Sequence, residues 1–189
     1  DLKEAEAQVR KAIALTETVY GPDHPRVALP LSDLGRILND AGNPDEAIAV
    51  HRRAIAISTA AFGPEASSTL SHQNNLAIAL LSAGRSNEAI SLLEMNLASR
   101  TRTAGADSLD VGELLQNLAV TQAQAGQPDD ALDSLSRAEA IFDVQLAEDN
   151  PRRAFPALTR SAILLDMKAY AGAELNARHA YDTLSETLP

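Results

Sequence analysis

The chain has 189 residues, of which 45% are hydrophobic and 22% charged, and it carries a formal net charge of −10. That charge argues against a nucleic-acid partner, because a phosphate-binding surface needs clustered Lys and Arg. The absence of cysteine excludes disulfides, thiol catalysis and thiolate metal sites, and no apolar run approaches the roughly 18 residues of a membrane helix. We therefore expect a cytoplasmic protein with neither nucleic acid nor a membrane as its partner.

The predicted elements follow one another with a period of 42 residues. KEAEAQV at 3–9 aligns with DEAIAVH at 45–51, so residues 1–20 are predicted to be the second helix of a truncated repeat. Full repeats follow at 21–62, 63–104 and 105–146, and a degenerate fourth repeat occupies 147–189. Their landmark is the octet AGNPDEAI at 41–48, which returns as AGRSNEAI at 83–90 and AGQPDDAL at 125–132. A fixed period of this length predicts one solenoid domain of stacked units.

Within each repeat the hydrophobic pattern predicts two antiparallel α-helices. In the first full repeat, apolar or small residues recur at the spacing of one helical face, at Leu31, Leu34, Gly35 and Leu38. A glycine turn follows, and proline or serine with acidic residues opens the second helix. Nothing alternates with period two, so we predict an all-α fold of about nine helices.

The spacing within the repeat resembles that of the tetratricopeptide repeat. A period of 42 alone would also fit HEAT or armadillo arrays. However, a leucine followed by a small residue recurs, with an alanine twelve or thirteen positions later and a glycine turn between them, as in Leu34, Gly35 and Ala47. The lengthened form is similar to the repeats of kinesin light chain and of many bacterial signalling proteins. The resemblance covers essentially the whole chain and implies a right-handed superhelical solenoid whose concave wall binds extended peptides or partner helices.

Three positions depart from the repeat pattern. Arg160 occupies the slot of Leu34, and Gln122 occupies the slot of Leu38. His51 stands where the family usually has an aromatic residue, and we expect it to be a partly buried histidine with its hydrogen bonds satisfied. Pro30 and Pro156 lie about one turn into their helices and predict a kinked or late helix start.

The candidate binding site is the polar face of the first helices, opposite their leucines. Amide side chains dominate it, and each offers donors and an acceptor to a peptide backbone. The slot of Asn75 and Asn117 matches an asparagine that peptide-binding members of the family often use, although the first repeat has Asp33 there. The predicted residues on this concave face are Arg36, Asn39, Asp40, Asn74, Asn75, Gln116, Asn117 and Gln124.

No sequence motif predicts catalysis, a cofactor or a metal. P-loop, dinucleotide-binding, HExxH, EF-hand and GxSxG patterns are all missing, and the histidines lack ligand spacing. We therefore expect a non-catalytic interaction module for a protein or peptide partner, a sensor or scaffold segment of a larger bacterial signalling protein with an NB-ARC-type ATPase. The alternative is a self-associating scaffold or spacer. It would dimerise through the first helix, where Ala5, Val9, Ala12 and Ile13 are expected to be exposed.

Overall fold

A computed structural model describes residues 1–187. Over that range the chain forms nine α-helices and two short 3-10 helices, with no strand. The α-helices are α1 (Leu2–Tyr20), α2 (Ala28–Asp40), α3 (Pro44–Phe62), α4 (Ser67–Ser82), α5 (Ser86–Ala104), α6 (Leu109–Gln124), α7 (Pro128–Gln145), α8 (Phe155–Asp166) and α9 (Tyr170–Thr187). The chain divides into two compact units, one ending at Ser99 and the other beginning at Arg100, so the division falls within α5.

The turns inside the helix pairs share one geometry. Gly42 has φ 79°, and Gly84 and Gly126 are also left-handed, with φ of 74° and 78°. After each glycine the next N–H reaches back to a carbonyl near the helix end, as Asn43 does to Leu38 at 2.8 Å. This is the Schellman arrangement, in which glycine is favoured because it has no Cβ.

The fourth turn keeps this geometry without a glycine. Lys168 occupies the glycine slot and has φ 60°, the one positive φ of a non-glycine residue in the described part of the chain. Ala169 donates its N–H to the carbonyl of Leu164 at 2.8 Å, which repeats the bond of the other turns. The degenerate sequence therefore folds like the others, with a lysine in a strained backbone region.

Both α2 and α8 begin late, which is the outcome that Pro30 and Pro156 predict. Pro25–Val27 and Pro151–Ala154 form 3-10 helices, and each α-helix begins only after them. By contrast, α4 begins at Ser67, whose slot in the first repeat is Pro25. Pro30 and Pro156 both fall within the first turn, where a helical N–H has no partner in the helix to lose.

Alanines fill the crossings of the paired helices. Ala47, Ala89 and Ala131 are all 0% exposed, and Ala173 in the fourth slot is 6% exposed. The pairing is antiparallel: in the first unit Asn96, in the second half of α5, donates to the carbonyl of Leu70 near the start of α4, at 2.7 Å. Small residues at these crossings let the helices approach closely.

Two of the departures from the repeat pattern are satisfied by new polar partners. Ser134 on α7 donates its hydroxyl to Gln122 Oε1 at 2.8 Å, so the buried amide oxygen is not left unpaired. Arg160 on α8 donates to Glu139 Oε2 at 2.7 Å and to the hydroxyl of Ser136 at 3.2 Å. Each polar replacement of a leucine thus has its compensation within the second unit.

Candidate functional site: the polar face of the first helices

In the first unit, the structure brings four of the predicted residues together around one pocket. Arg36 and Asp40 are exposed on α2, and Asn39 and Asn75 are half-buried. The pocket has a volume of about 230 Å³ and is completed by Ile78 on α4 and His51 on α3; its lining residues are Arg36, Asn39, Asp40, His51, Asn75 and Ile78. Asn74 is half-buried on the neighbouring position of α4 and does not line the pocket.

One predicted amide is already bonded within the protein. Asn75 donates through Nδ2 to the hydroxyl of Ser32 at 3.0 Å, and Ser32 is only 3% exposed. This bond joins α4 to α2 across two neighbouring helix pairs. Only the oxygen and the second N–H of Asn75 remain for a ligand.

His51 lies at the base of the pocket, packed against Gly35. A Cβ built on Gly35 would come within 2.5 Å of His51 Cε1 and Nε2, so the ring occupies the space that an alanine methyl would take. The side chain is 1% exposed, and its buried Nδ1 has no hydrogen-bond partner. The expectation of a partly buried histidine with satisfied hydrogen bonds is therefore wrong, because the sequence could not show that this helix face lacks a partner for Nδ1.

Burial controls the protonation of His51. It lowers the pKa of the imidazole to about 4, with smaller contributions from repulsion by His72 and Arg36. Burial also lowers the pKa of His72, against an opposing contribution from Asp33. Since the unfolded chain takes up a proton near its ordinary pKa of 6.5, stability should fall as the pH drops from about 6.5 towards 4.

In the second unit, the remaining predicted residues all lie on α6. Gln116 and Asn117 are half-buried, and Gln124 is exposed. Gln116 Oε1 is buried without a hydrogen-bond partner, and the backbone carbonyl of Asn117 accepts the hydroxyl of Thr121 at 2.8 Å. The amides of α6 thus line one helix, whereas those of α2 and α4 share a pocket.

The exposed face of α1 differs from the predicted one. Ile13 is 7% exposed and, with Leu31 and Leu34, lines a separate cavity of about 470 Å³. The expectation that Ile13 is exposed is wrong, because α1 turns this side towards α2 and α3. Leu15 and Val19 are exposed instead, at 66% and 61%.

Residues 1–187 contain neither a metal-binding cluster nor a membrane-spanning helix. No three or more His, Cys, Asp or Glu side chains in that range group closely enough to hold a metal ion. None of its helices combines the length and the apolar character that crossing a membrane requires.

The sequence matches the Tetratricopeptide repeat family profile over residues 1–60 and 67–143. The chain belongs to the tetratricopeptide repeat family. No curated protein sequence matches it significantly.

Solved tetratricopeptide repeat structures share its fold. The kinesin light chain-like protein of Podosopora anserina, with nearly identical TPR-like repeats, superimposes with a TM-score of 0.80 at 22% identity, covering 98% of this chain and 88% of that one. BtubC (BKLC) from P. vanneervenii gives 0.80 at 21% identity, over 98% and 74%. A Rap protein complexed with Competence and Sporulation Factor gives 0.81 at 14% identity, over 98% of this chain and 50% of that chain. These likenesses confirm the predicted all-α tetratricopeptide-repeat solenoid class.

Sequence reasoning missed His51 as a pocket residue. In a tetratricopeptide repeat the second helix is expected to supply core residues, and the predicted site therefore contains side chains of the first helices alone. The available signal was Gly35, since the equivalent positions hold Ala77 and Ala119. A glycine inside a helix costs stability relative to alanine, so its presence needs a neighbour that occupies the methyl position.

Proposed function

We propose that the chain is a non-catalytic interaction module that binds a peptide or partner protein on its polar helix faces, that of α2 and α4 in the first unit and that of α6 in the second. The observation that carries the proposal is the pocket between α2 and α4, which gathers charged, amide and apolar side chains in one place. Tetratricopeptide repeats generally act as protein–protein interaction modules, and the Rap protein of similar fold is complexed with Competence and Sporulation Factor. A pocket with a few convergent polar groups is the usual form of a binding site.

The wider setting is part of the same proposal. We assign the chain to the bacterial cytoplasm, as a sensor or scaffold segment of a larger signalling protein with an NB-ARC-type switch ATPase. The support is the likeness of its lengthened repeats to those of such proteins and a cysteine-free, alanine-rich composition that prefers Arg to Lys. In that setting, ligand binding to the polar face would bias the switch domain.

A random dodecapeptide library, displayed on phage and selected on the immobilised chain, tests the binding function. Peptides that survive are synthesised with a fluorophore, and their affinities are measured by fluorescence polarisation. Arg36→Ala should weaken binding by at least about fivefold, because arginine is a frequent anchor at interfaces. Arg52→Ala is the matched control, since this arginine is exposed on α3 and outside the pocket lining.

The result can contradict the proposal in two ways. Either no peptide binds, or the selected peptides bind the Arg36→Ala and Gln124→Ala proteins as well as the unchanged chain. Both substitutions are at exposed positions, so each should change the free energy of unfolding by no more than about 0.5 kcal/mol. Circular dichroism of each variant checks this directly.

Self-association is a second candidate function, favoured by the exposed apolar residues of α1. Leu15 and Val19 lie on one side of the helix, next to the exposed Ala12 and half-buried Val9. A dimer through this side should appear in light scattering as a mass that rises with concentration, and Leu15→Glu with Val19→Glu should abolish it. A monomeric mass at all concentrations would rule this candidate out.

A further inference from the structure

In the first unit, an arginine and a glutamate join α1 and α3, the second helices of neighbouring repeats. Arg53 on α3 donates through Nη2 to Glu17 Oε1 on α1 at 2.6 Å, and the same nitrogen donates to the carbonyl of Pro22 at 2.8 Å. Both charged residues line the cavity of about 470 Å³ that also contains Ile13. The first repeat therefore shows how a carboxylate is held at this place in the repeat.

In the second unit, the same place keeps the arginine and lacks the acid. Arg137 on α7 lies two periods after Arg53, whereas the residue two periods after Glu17 is Thr101. Arg137 is exposed and forms no ion pair with any of residues 1–187. In the repeat between them both positions are neutral. Of these three repeats, the third alone thus keeps the base without the acid.

Arg137 borders a cavity of about 480 Å³ between α7 and the turn that precedes α6. Leu115 and Ile141 line it with buried apolar surface, and Val144 lines it with exposed apolar surface. Val144 is 80% exposed, more than any other large apolar side chain among residues 1–187. A volume of this size is typical of ligand sites, which combine mostly apolar walls with a few polar groups. The cavity therefore offers one accessible base beside an accessible apolar surface.

An aspartate in the lining does not reverse the preference for an acid. Asp107 is exposed and also borders the cavity. Its counterpart in the first repeat is Asp23, which directly follows the proline whose carbonyl Arg53 bonds. Because Arg53 holds Glu17 in spite of that neighbouring aspartate, we expect Asp107 to leave room for a carboxylate in the same way.

We propose that the cavity beside α7 binds a glutamate side chain of a partner peptide, together with an apolar side chain next to it. Arg137 donates to the carboxylate in a charge-assisted hydrogen bond, as Arg53 does to Glu17. The apolar side chain covers Val144. This site lies on a second helix, whereas the proposed function concerns the polar face of the first helices, so either one can fail alone.

The size of the cavity agrees with two side chains. If each heavy atom takes about as much space as a water molecule, roughly 30 Å³, the five side-chain heavy atoms of Glu need about 150 Å³. The four of a leucine need about 120 Å³ by the same measure. Both fit within the volume of about 480 Å³, and the peptide backbone stays outside.

Two substitutions taken from the other repeats provide the test. Arg137→Met removes the base and recreates the neutral pair of the middle repeat, which consists of Thr59 and Met95. Thr101→Glu recreates the acid–base pair of the first repeat, so the chain itself supplies a carboxylate to the arginine and occupies the site. Both proteins should fold, because each carries a pair that occurs elsewhere in the chain, and circular dichroism checks this.

The dodecapeptide library is first depleted on the Arg137→Met protein and then selected on the unchanged chain. We expect the surviving peptides to share a Glu with an apolar residue next to it. Replacing that Glu by Gln should weaken binding to the unchanged chain by about 2- to 5-fold, the effect of one exposed ion pair. The loss should shrink at high salt, because exposed charges are screened. On either variant the same replacement should change the affinity by less than about 1.5-fold.

The site is overturned if no peptide survives the depletion, or if the survivors share no Glu. It is also overturned if Glu→Gln costs as much on Arg137→Met as on the unchanged chain, or if Thr101→Glu binds the Glu peptide undiminished. Peptides selected without depletion separate this outcome from the proposed function. If they respond to Arg36→Ala but not to Arg137→Met, the proposed function stands and the site beside α7 fails.

Discussion

Alanine at position 35 should destabilise the protein only while His51 is present. A Cβ on Gly35 would lie 2.5 Å from His51 Cε1 and Nε2 and 2.8 Å from Cδ2. Because carbon atoms in contact prefer about 3.5–4.0 Å, the ring would have to retreat by about 1 Å. The ring is 1% exposed, so on the sides away from the pocket it can move only by displacing its neighbours.

The expected free energies follow from this overlap. Overpacking of this kind costs about 1–3 kcal/mol, and the gain from placing alanine in a helix returns about 0.5–1 kcal/mol. Gly35→Ala alone should therefore destabilise by up to about 2.5 kcal/mol. With His51→Leu in place, the same change should stabilise by about 0.5–1 kcal/mol, because only the helix term remains.

Urea denaturation followed by far-UV circular dichroism measures all four corners of this double-mutant cycle. Since a repeat array can unfold in stages, amide hydrogen exchange in α2 and α3 provides a local reading of the same free energies. Ala77→Gly is the matched control, because position 77 is the equivalent of position 35 and Leu93 stands in the slot of His51. This change should cost about 0.5–1 kcal/mol. Equal effects of Gly35→Ala in both backgrounds, within about 0.5 kcal/mol, would refute the packing argument.

Further predictions concern protonation, one turn and one buried hydrogen bond. As the pH falls from 6.5 to about 4, protonation of the unfolded chain at His51 should lower the free energy of unfolding by on the order of 3 kcal/mol, and His72 acts in the same direction. Urea unfolding at a series of pH values measures this, and the free energy of unfolding should depend less on pH in His51→Leu. Lys168→Gly should stabilise by about 0.5–1 kcal/mol in thermal unfolding by relieving a left-handed lysine, while Lys168→Ala, which keeps a Cβ, should not. Ser134→Ala should destabilise by about 1–2 kcal/mol because it leaves Gln122 Oε1 buried and unpaired, and adding Gln122→Leu should recover most of this loss in urea unfolding.

The fold could be predicted from the sequence because its signals are local and repeated. Gly42 and its two counterparts mark the turns by a backbone requirement that few other residues meet, and the alanines mark the crossings. Even the fourth turn lies where the period predicts, although Lys168 replaces the glycine there. The other three repeats define the period, so a different residue at one position does not change the predicted place of the turn.

The candidate site was only partly predictable, because its properties depend on contacts between different helices. The wheel of α2 places Arg36, Asn39 and Asp40 on one face, and the pocket contains all three. The bond from Asn75 to Ser32 joins residues that are 43 positions apart. The contact of His51 with Gly35 joins residues that are 16 positions apart. Each pair lies on two different helices, so no pattern within a single helix contains it. Periodicity shows which side of a helix faces inward, and only the packed structure shows which polar atoms there find a partner.

The repeats differ from one another through pairs of residues that face each other across one helix pair. Gly112 and Phe142 form such a pair in the second unit, where a Cβ on Gly112 would come within 2.7 Å of the ring. Gln122 with Ser134 exchanges an apolar contact for a hydrogen bond, and Gly35 with His51 exchanges a methyl group for an imidazole edge. Volume-conserving exchanges are tolerated well in packed cores, so such pairs change the chemistry while the crossing geometry survives. Among these pairs, Gly35 with His51 borders the pocket between α2 and α4, so this exchange changes the lining of the candidate site, whereas the recurring turn sequence serves the architecture.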